Sequence, residues 1–355
     1  MEILTSNTDF VSVDLDSSKE SGPTTDGLTW QQHMKVAVRS LQELRNRLDL
    51  PSNLDSIGST TAIKALGSFP VFVPLPYLSR IEKGNAADPL LCQVLPTIDE
   101  DTIQSGYLRD PLQESAATLS PGLLQKYQGR VLLVTTGACA VNCRYCFRRH
   151  FPYEETPKSS TQWQDAIQQI SSDESLEEVI LSGGDPLTFV DETLGQLVAQ
   201  IGAIPTIKRL RIHTRLPIMI PQRITERLLE ILSRSKKQVL MVIHANHANE
   251  LDQPVEIGLA KLANAGVLLL NQSVLLQGVN NDAEVLIRLS QRLLECRVLP
   301  YYLHKNDPVV GTAQFEVSIE RGVELIRIMR EKLPGYAVPR FVQELAGEPN
   351  KTVFA

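Results

Sequence analysis

The chain has 355 residues, 43% hydrophobic and 21% charged, the composition of an ordinary globular protein large enough to bury a sizeable core. A net charge of −6 argues against non-specific nucleic-acid binding, and no apolar run approaches the ~20 residues of a membrane helix. The N-terminus, MEILTSNTDFVSVDLDSSKE, lacks a basic-then-apolar leader, so the expected protein is cytoplasmic, with no nucleic-acid or membrane partner.

Residues 1–28 are rich in Ser, Thr and Asp without periodicity, and a poorly ordered arm is expected there. From Trp30 to Leu48 the apolar residues fall near helical spacing, with Pro51 as a stop. The segment 69–84 is punctuated by prolines and then briefly helical, so residues 29–125 read as a mostly helical N-terminal region. From residue 126 to 335 short apolar runs alternate with helix-like stretches. The runs are VLLVTT (131–136), EVILSGG (178–184), RLRIHT (209–214), VLMVIHA (239–245), VLLLNQSVLL (267–276) and VLPYYLH (298–304). The helical stretches cover 161–171, 191–201, 222–234, 254–264, 282–295 and 318–333. Strands alternating with helices imply βαβ units and a parallel sheet, and six units fall short of the eight that close a barrel. An incomplete barrel or an open sheet follows, with residues 336–355 as a short C-terminal segment.

Polar residues collect after each strand, at the end where barrels and open α/β sheets build their sites. They are Cys139; Gly183, Gly184 and Asp185; Thr214 and Arg215; His244, Asn246 and His247; Asn271 and Gln272; then His304 and Asp307. Of five cysteines, Cys92 and Cys296 stand alone, while Cys139, Cys143 and Cys146 form C-x3-C-x2-C in GACAVNCRYCFRRH. An odd, clustered set points to metal or redox chemistry and not to a disulfide framework. A structural zinc site would want four ligands, usually in two pairs, and there is no second pair. His150 could serve in principle, although Arg148 and Arg149 would bring two cations close to the metal. Three thiolates on one loop suggest a [4Fe–4S] cluster with one iron open to another ligand. At the chain's end, AGEPNKTVFA places Lys351 after a turn-like Gly347-Glu348-Pro349 and before an apolar Val353-Phe354.

The cysteine motif after the first strand of a (β/α)6 unit resembles the signature of the radical S-adenosylmethionine enzymes. In that family the open iron chelates S-adenosylmethionine, and electron transfer releases a 5′-deoxyadenosyl radical. The resemblance implies that Cys139, Cys143 and Cys146 hold the cluster and that Tyr145 packs near the cofactor. It also implies that Ser182, Gly183, Gly184 and Asp185, within LSGGDPL, let the backbone approach its methionine part. The segments DPLQESAATLSPGLLQKYQGRVLLVTTGACAVNCRYCFRRH, RIHTRLPIMIPQRIT, HANHANE, NQSVLLQGVN and LPYYLHKNDPVVGTAQFEVSIERG narrow the likeness. Together they resemble the lysine 2,3-aminomutases, from about residue 70 to the end. The implied fold is α/β: a partial (β/α)6 TIM-type barrel with a mostly helical N-terminal extension and a short C-terminal segment.

What this family does is convert L-lysine to β-lysine, using a 5′-deoxyadenosyl radical and a pyridoxal phosphate imine of the substrate. The implied cofactors are therefore a [4Fe–4S] cluster, S-adenosylmethionine and pyridoxal 5′-phosphate, with flavodoxin or ferredoxin as electron donor. By resemblance Lys351 is the catalytic amine that holds pyridoxal phosphate, with Tyr127 and Arg130 beside its ring. His244 and Gln272 match positions that hydrogen-bond S-adenosylmethionine. Arg148 matches the guanidinium that pairs with the substrate carboxylate, and Asp307 with Glu344 the carboxylates that take its distal ammonium. Glu344 stands where the metabolic enzymes have aspartate. The short C-terminus looks most like the branch supplying β-lysine for elongation factor P, which links the chain to that factor and its lysyl-transferring enzyme. An aminomutase for another amino acid, a radical enzyme without pyridoxal phosphate, and a homo-oligomeric assembly all stay open.

Overall fold

The computed structural model describes residues 27–51, 69–102, 104–156 and 163–355. The arm expected over residues 1–28 lies, except for its last two positions, outside the described residues. The helix expected from Trp30 to Leu48 is two helices, Trp30–Lys35 and Leu41–Arg47. Between them Val38 exchanges backbone hydrogen bonds of 2.8 and 3.0 Å with Val73. Valine is stiff at χ1 and accepts extended backbone readily, and the Ser40 hydroxyl then starts a new helix by accepting from Glu43 N at 3.1 Å.

Ten strands form one sheet in strict chain order. They are β1 Thr118–Ser120, β2 Leu123–Tyr127, β3 Arg130–Thr136, β4 Glu178–Gly183, β5 Arg209–Thr214, β6 Gln238–Ile243, β7 Leu268–Leu275, β8 Leu299–Lys305, β9 Arg340–Gln343 and β10 Thr352–Val353. The six expected strands are β3 to β8, parallel neighbour to neighbour. The structure adds β9, a seventh parallel strand pairing Tyr302 with Arg340 and His304 with Val342. It also adds antiparallel margins, β1-β2 leading into β3 and β10 folding back on β9. The region read as helical over 29–125 therefore carries β1 and part of β2 as well. Each parallel crossover runs through a helix: Gln164–Ser172, Asp191–Ala203, Glu226–Ser233, Gln253–Asn264, Ala283–Glu295 and Ile319–Lys332. No helix among the described residues is long and apolar enough to cross a membrane.

All six residues of β4 are buried, as expected for a parallel strand covered on both faces. Val179 and Leu181 join Leu210, Ile212, Met241 and Leu269 in the main apolar core, which Leu194, Leu197 and Ile201 cover from the helix side. A second cluster, Leu303, Leu325, Met329 and Phe341, holds the last helix against β8 and β9, and Phe354 packs onto it. The final residues are therefore not a frayed tail. Phe341 N donates to Ala355 O and Phe354 N to Phe341 O, both at 2.9 Å, and the two phenyl rings lie 5.4 Å apart. Lys351 sits immediately before β10, at the loop end of this hairpin. Side chains bridge the sheet's two margins: Lys126 Nζ on β2 lies 2.7 Å from Glu344 Oε1, just past β9.

Candidate active site

The cysteine loop leaves β3 pressed backbone to backbone against the loop that leaves β4. Thr136 Oγ1 accepts from Ala138 N at 3.0 Å, Thr136 O accepts from Gly184 N at 2.6 Å, and Ala138 O accepts from Asp185 N at 2.7 Å. A Cβ on Gly184 would stand 2.3 Å from Ala138 O, and Gly183 has φ +128°, which L side chains rarely adopt. Only glycine fits this contact. Burial pushes the Cys139 thiol well up, reinforced by Cys146, Asp185 and Cys143, and that of Cys146 up to about 11, reinforced by Cys143. Among the described residues no three His, Cys, Asp or Glu side chains converge as one metal ion requires. Three cysteines on one loop, with no fourth protein ligand beside them among the described residues, are a donor set suited to an iron–sulfur cluster that leaves one iron open. His150 does not join the thiols, because its Nε2 lies 3.1 Å from Val310 O.

The cations that flank the motif are each given a carboxylate. Arg144, fully buried, pairs with Glu100 through Nε at 2.7 Å, and Arg149 Nη2 reaches the same carboxylate at 2.6 Å. Arg215, expected at the site end of the sheet but with no role assigned to it, donates from Nη1 to Cys143 Sγ at 2.7 Å. Its Nη2 is held by Gln93 Oε1 at 2.6 Å and Glu250 Oε2 at 2.9 Å. Tyr145 accepts from Asn246 Nδ2 at 2.7 Å and meets the Phe315 ring edge-on at 6.1 Å, which fixes an aromatic face beside the loop.

The Asp185 carboxylate faces the scaffold. It accepts from Thr214 Oγ1 and Arg215 N at 2.7 Å, and from Leu187 N and Leu216 N at 3.0 Å. These bonds consume its acceptor capacity in tying β4 to β5, so its neighbouring backbone, and not its side chain, is left to face a ligand. Ser182 accepts from Arg148 Nη1 at 2.9 Å.

Across the mouth runs a chain of alternating charges. The Arg148 Nε and Nη2 fork grips both oxygens of Glu114 at 2.7 Å. Lys126 Nζ lies 2.8 Å from Glu114 Oε1 and 2.7 Å from Glu344 Oε1, and Lys351 pairs with the other Glu344 oxygen. Arg148 and Lys126 hold the Glu114 carboxyl down at about 2 against its burial. Lys351 and Lys126 likewise hold Glu344 well below the usual carboxylate range. Asp307 has the opposite fate: burial first, then the Glu344 charge, push it up to about 7. Lys351 Nζ stands 5.9 Å from the Tyr127 ring centre, and Arg130 Cζ 4.5 Å from the same ring. The expected Lys351, Tyr127, Arg130, Asp307, Glu344 and Arg148 thus meet in one place.

Three histidines point unpartnered nitrogens into the same interior. His213 on β5, His244 just after β6 and His304 on β8 each have a buried Nε2 with no hydrogen-bond partner. His213 and His244 stand edge to face at 5.8 Å. Burial, then Arg215 and Arg148, lower His244 to about 4, so it is neutral at physiological pH. Orphaned polar atoms beside a glycine cradle and a lysine are what a polar cofactor would satisfy. Gln272, half-buried on β7, lies in register with Tyr302. Sequence reasoning left His213 unassigned and gave no role to Glu114, Lys126 or Arg215. The alternation of β5 could have turned His213 inward with Arg209 and Arg211. Glu114 and Lys126 come from a margin whose strands were not expected.

A family model described as "Radical SAM superfamily" matches residues 133–288. The chain is 46% identical over 323 residues to the L-lysine 2,3-aminomutase of Escherichia coli K12, covering 91% of this chain and 93% of that protein. It is 44% identical over 326 residues to the Haemophilus influenzae L-lysine 2,3-aminomutase, covering 92% and 95%. To the Clostridium subterminale L-lysine 2,3-aminomutase it is 35% identical over 324 residues, covering 91% and 77%. The chain belongs to the lysine 2,3-aminomutase family of the radical SAM superfamily.

Proposed function

We propose that this protein converts L-lysine to β-lysine, and that its product serves the modification of elongation factor P. One observation carries the substrate reading: a guanidinium fork, Arg148, and two carboxylates, Asp307 and Glu344, share a charge network with Lys351 in one mouth. An α-amino acid with a distal ammonium is the ligand that such an arrangement measures. The family's cofactors are a [4Fe–4S] cluster, S-adenosylmethionine and pyridoxal phosphate, which when bound supply one-electron chemistry and a conjugated system across which an amino group migrates.

The chain's own residues do the rest. Cys139, Cys143 and Cys146 would hold the cluster, and the Gly183-Gly184 backbone would admit the methionine part of S-adenosylmethionine without a side-chain obstacle. Lys351 would hold pyridoxal phosphate, with Arg130 and Tyr127 nearby to bind it. Neutral His213, His244 and His304 would offer hydrogen bonds without adding charge. Arg148 would orient the substrate carboxylate, and Asp307 with Glu344 its ammonium, fixing the β-carbon between them.

Asp307 sets a pH dependence. Burial and the Glu344 charge push its carboxyl up to about 7, and only the carboxylate attracts an ammonium. The kcat/KM for lysine should therefore fall about tenfold per pH unit below 7, a limb that Asp307→Asn removes while lowering the plateau about a hundredfold. The stability sign runs the other way. An acid raised in the folded state loses its stabilising contribution as pH climbs from its ordinary value to 7. Asp307→Asn should accordingly stabilise the fold more at pH 8 than at pH 5. Unchanged lysine turnover and selectivity in this variant would remove Asp307 from the site.

A further inference from the structure

Two residues of the charged chain, Glu114 and Lys126, have no part in the function above, yet both are nearly withdrawn from solvent. Their side chains are 3% and 15% exposed. Glu114 sits on Arg148 in the bidentate geometry of a bound carboxylate, with both contacts at 2.7 Å. Lys126 sits on Glu344 as a bound ammonium would, at 2.7 Å. One acidic and one basic side chain thus hold the two stations that the reading above gives to the two ends of lysine.

We propose that Glu114 and Lys126 are an internal stand-in for the substrate, and that an α-amino acid carrying a distal ammonium displaces both ends of it together. Their own separation makes the exchange balanced. Glu114 Oε1 and Lys126 Nζ are already 2.8 Å apart, so when each loses its outer partner they neutralise one another. In the holoenzyme Lys351, which otherwise pairs with the second Glu344 oxygen, is given over to pyridoxal phosphate, so before exchange the order is Arg148, Glu114, Lys126, Glu344; afterwards the substrate carboxylate faces Arg148, its ammonium faces Glu344, and Glu114 faces Lys126. No buried charge is left alone at either stage, a condition that matters because an uncompensated buried ion is strongly destabilising.

A ligand with only one of the two ends breaks that balance. 2-Aminohexanoate, which lacks the distal ammonium, would evict Glu114 onto a Lys126 still engaged by Glu344, leaving one ammonium between two carboxylates. 1,5-Diaminopentane, which lacks the carboxylate, would evict Lys126 onto a Glu114 still engaged by Arg148, leaving one carboxylate between two cations. The pair therefore enforces recognition of both ends by penalising half-matched ligands. It positions and selects without touching the reacting atoms.

The inference rests on the lysine reading, and its test separates the two. Calorimetric titration of the reconstituted, unreduced enzyme with lysine, 2-aminohexanoate and 1,5-diaminopentane gives a pattern that general damage to the fold would not produce. Glu114→Gln removes the surplus anion, so 2-aminohexanoate should bind about tenfold tighter while 1,5-diaminopentane gains nothing. Lys126→Met should do the reverse, tightening 1,5-diaminopentane about tenfold and leaving 2-aminohexanoate no better. Glu114→Gln strips Arg148 of its main counter-ion, so if that variant does not fold, the Lys126→Met arm decides alone. Both analogues shifting together, or neither shifting, overturns the stand-in even where the unaltered enzyme turns over lysine. Absence of lysine turnover by the unaltered enzyme overturns the reading, and the stand-in with it.

Discussion

Lys351→Ala is expected to abolish pyridoxal phosphate binding and to lower aminomutase turnover more than about a thousandfold, while iron and sulfide content stay at the unaltered level. The expectation follows from where the hairpin puts the amine. Lys351 is held by Glu344 and lies over Tyr127, on the far side of the charge network from the cysteine loop. Among the described residues its contacts run to Glu344 and Tyr127 and not to the cysteine loop. The long-wavelength cofactor absorbance of the holoenzyme should vanish with the substitution, beside an unchanged cluster band. Cutting the chain after Lys351 offers a sharper version. It keeps the amine but removes β10, the Phe354 contact with Phe341 and the hydrogen bonds to Ala355. If position and not mere presence matters, this truncation should lower cofactor affinity nearly as far as Lys351→Ala. Full cofactor binding in Lys351→Ala would mean that the lysine is structural.

Gly184→Ala should produce the opposite separation, losing the cluster while sparing the C-terminal hairpin. A methyl group there would overlap Ala138 O at 2.3 Å, a backbone atom that cannot swing aside. Relief requires the two loops to part, at the expense of the Gly184 N and Asp185 N hydrogen bonds that hold the cysteine loop in register. Overpacking of this kind costs about 1–3 kcal/mol, or more where backbone must move. We expect cluster occupancy after anaerobic reconstitution to drop at least about tenfold, with a lowered melting temperature. Normal iron loading in a folded Gly184→Ala protein would show that the close approach of the loops is dispensable.

Much of the architecture could be read from periodicity. The six alternating units were legible because each strand is a short buried apolar run and each helix carries one apolar stripe. The added strands escaped for physical reasons. Arg340–Gln343 is only four residues long with exposed Arg340 at its start, and Thr352–Val353 is two residues whose pairing depends entirely on β9. In the N-terminal region a run of apolar residues at helical spacing hid the Val36-Ala37-Val38 break, because the Val38 bridge to Val73 is a tertiary event that no local pattern announces. The site divided along the same line. Cysteine spacing and the glycine pair are local, and they were legible. Arg215 on Cys143, and Glu114 with Lys126 across the mouth, are relations between distant segments. A buried arginine or glutamate in isolation reads as any other charge until its partner is placed 2.7 Å away.

The most direct test is a product analysis. The reconstituted enzyme, carrying a full complement of cluster and pyridoxal phosphate, is reduced under argon and incubated with S-adenosylmethionine and free L-lysine. The amino acids are then separated from the mixture. The account predicts β-lysine, formed by the unaltered protein and absent with Lys351→Ala. Lysine recovered unchanged from a fully loaded, reduced enzyme would contradict it.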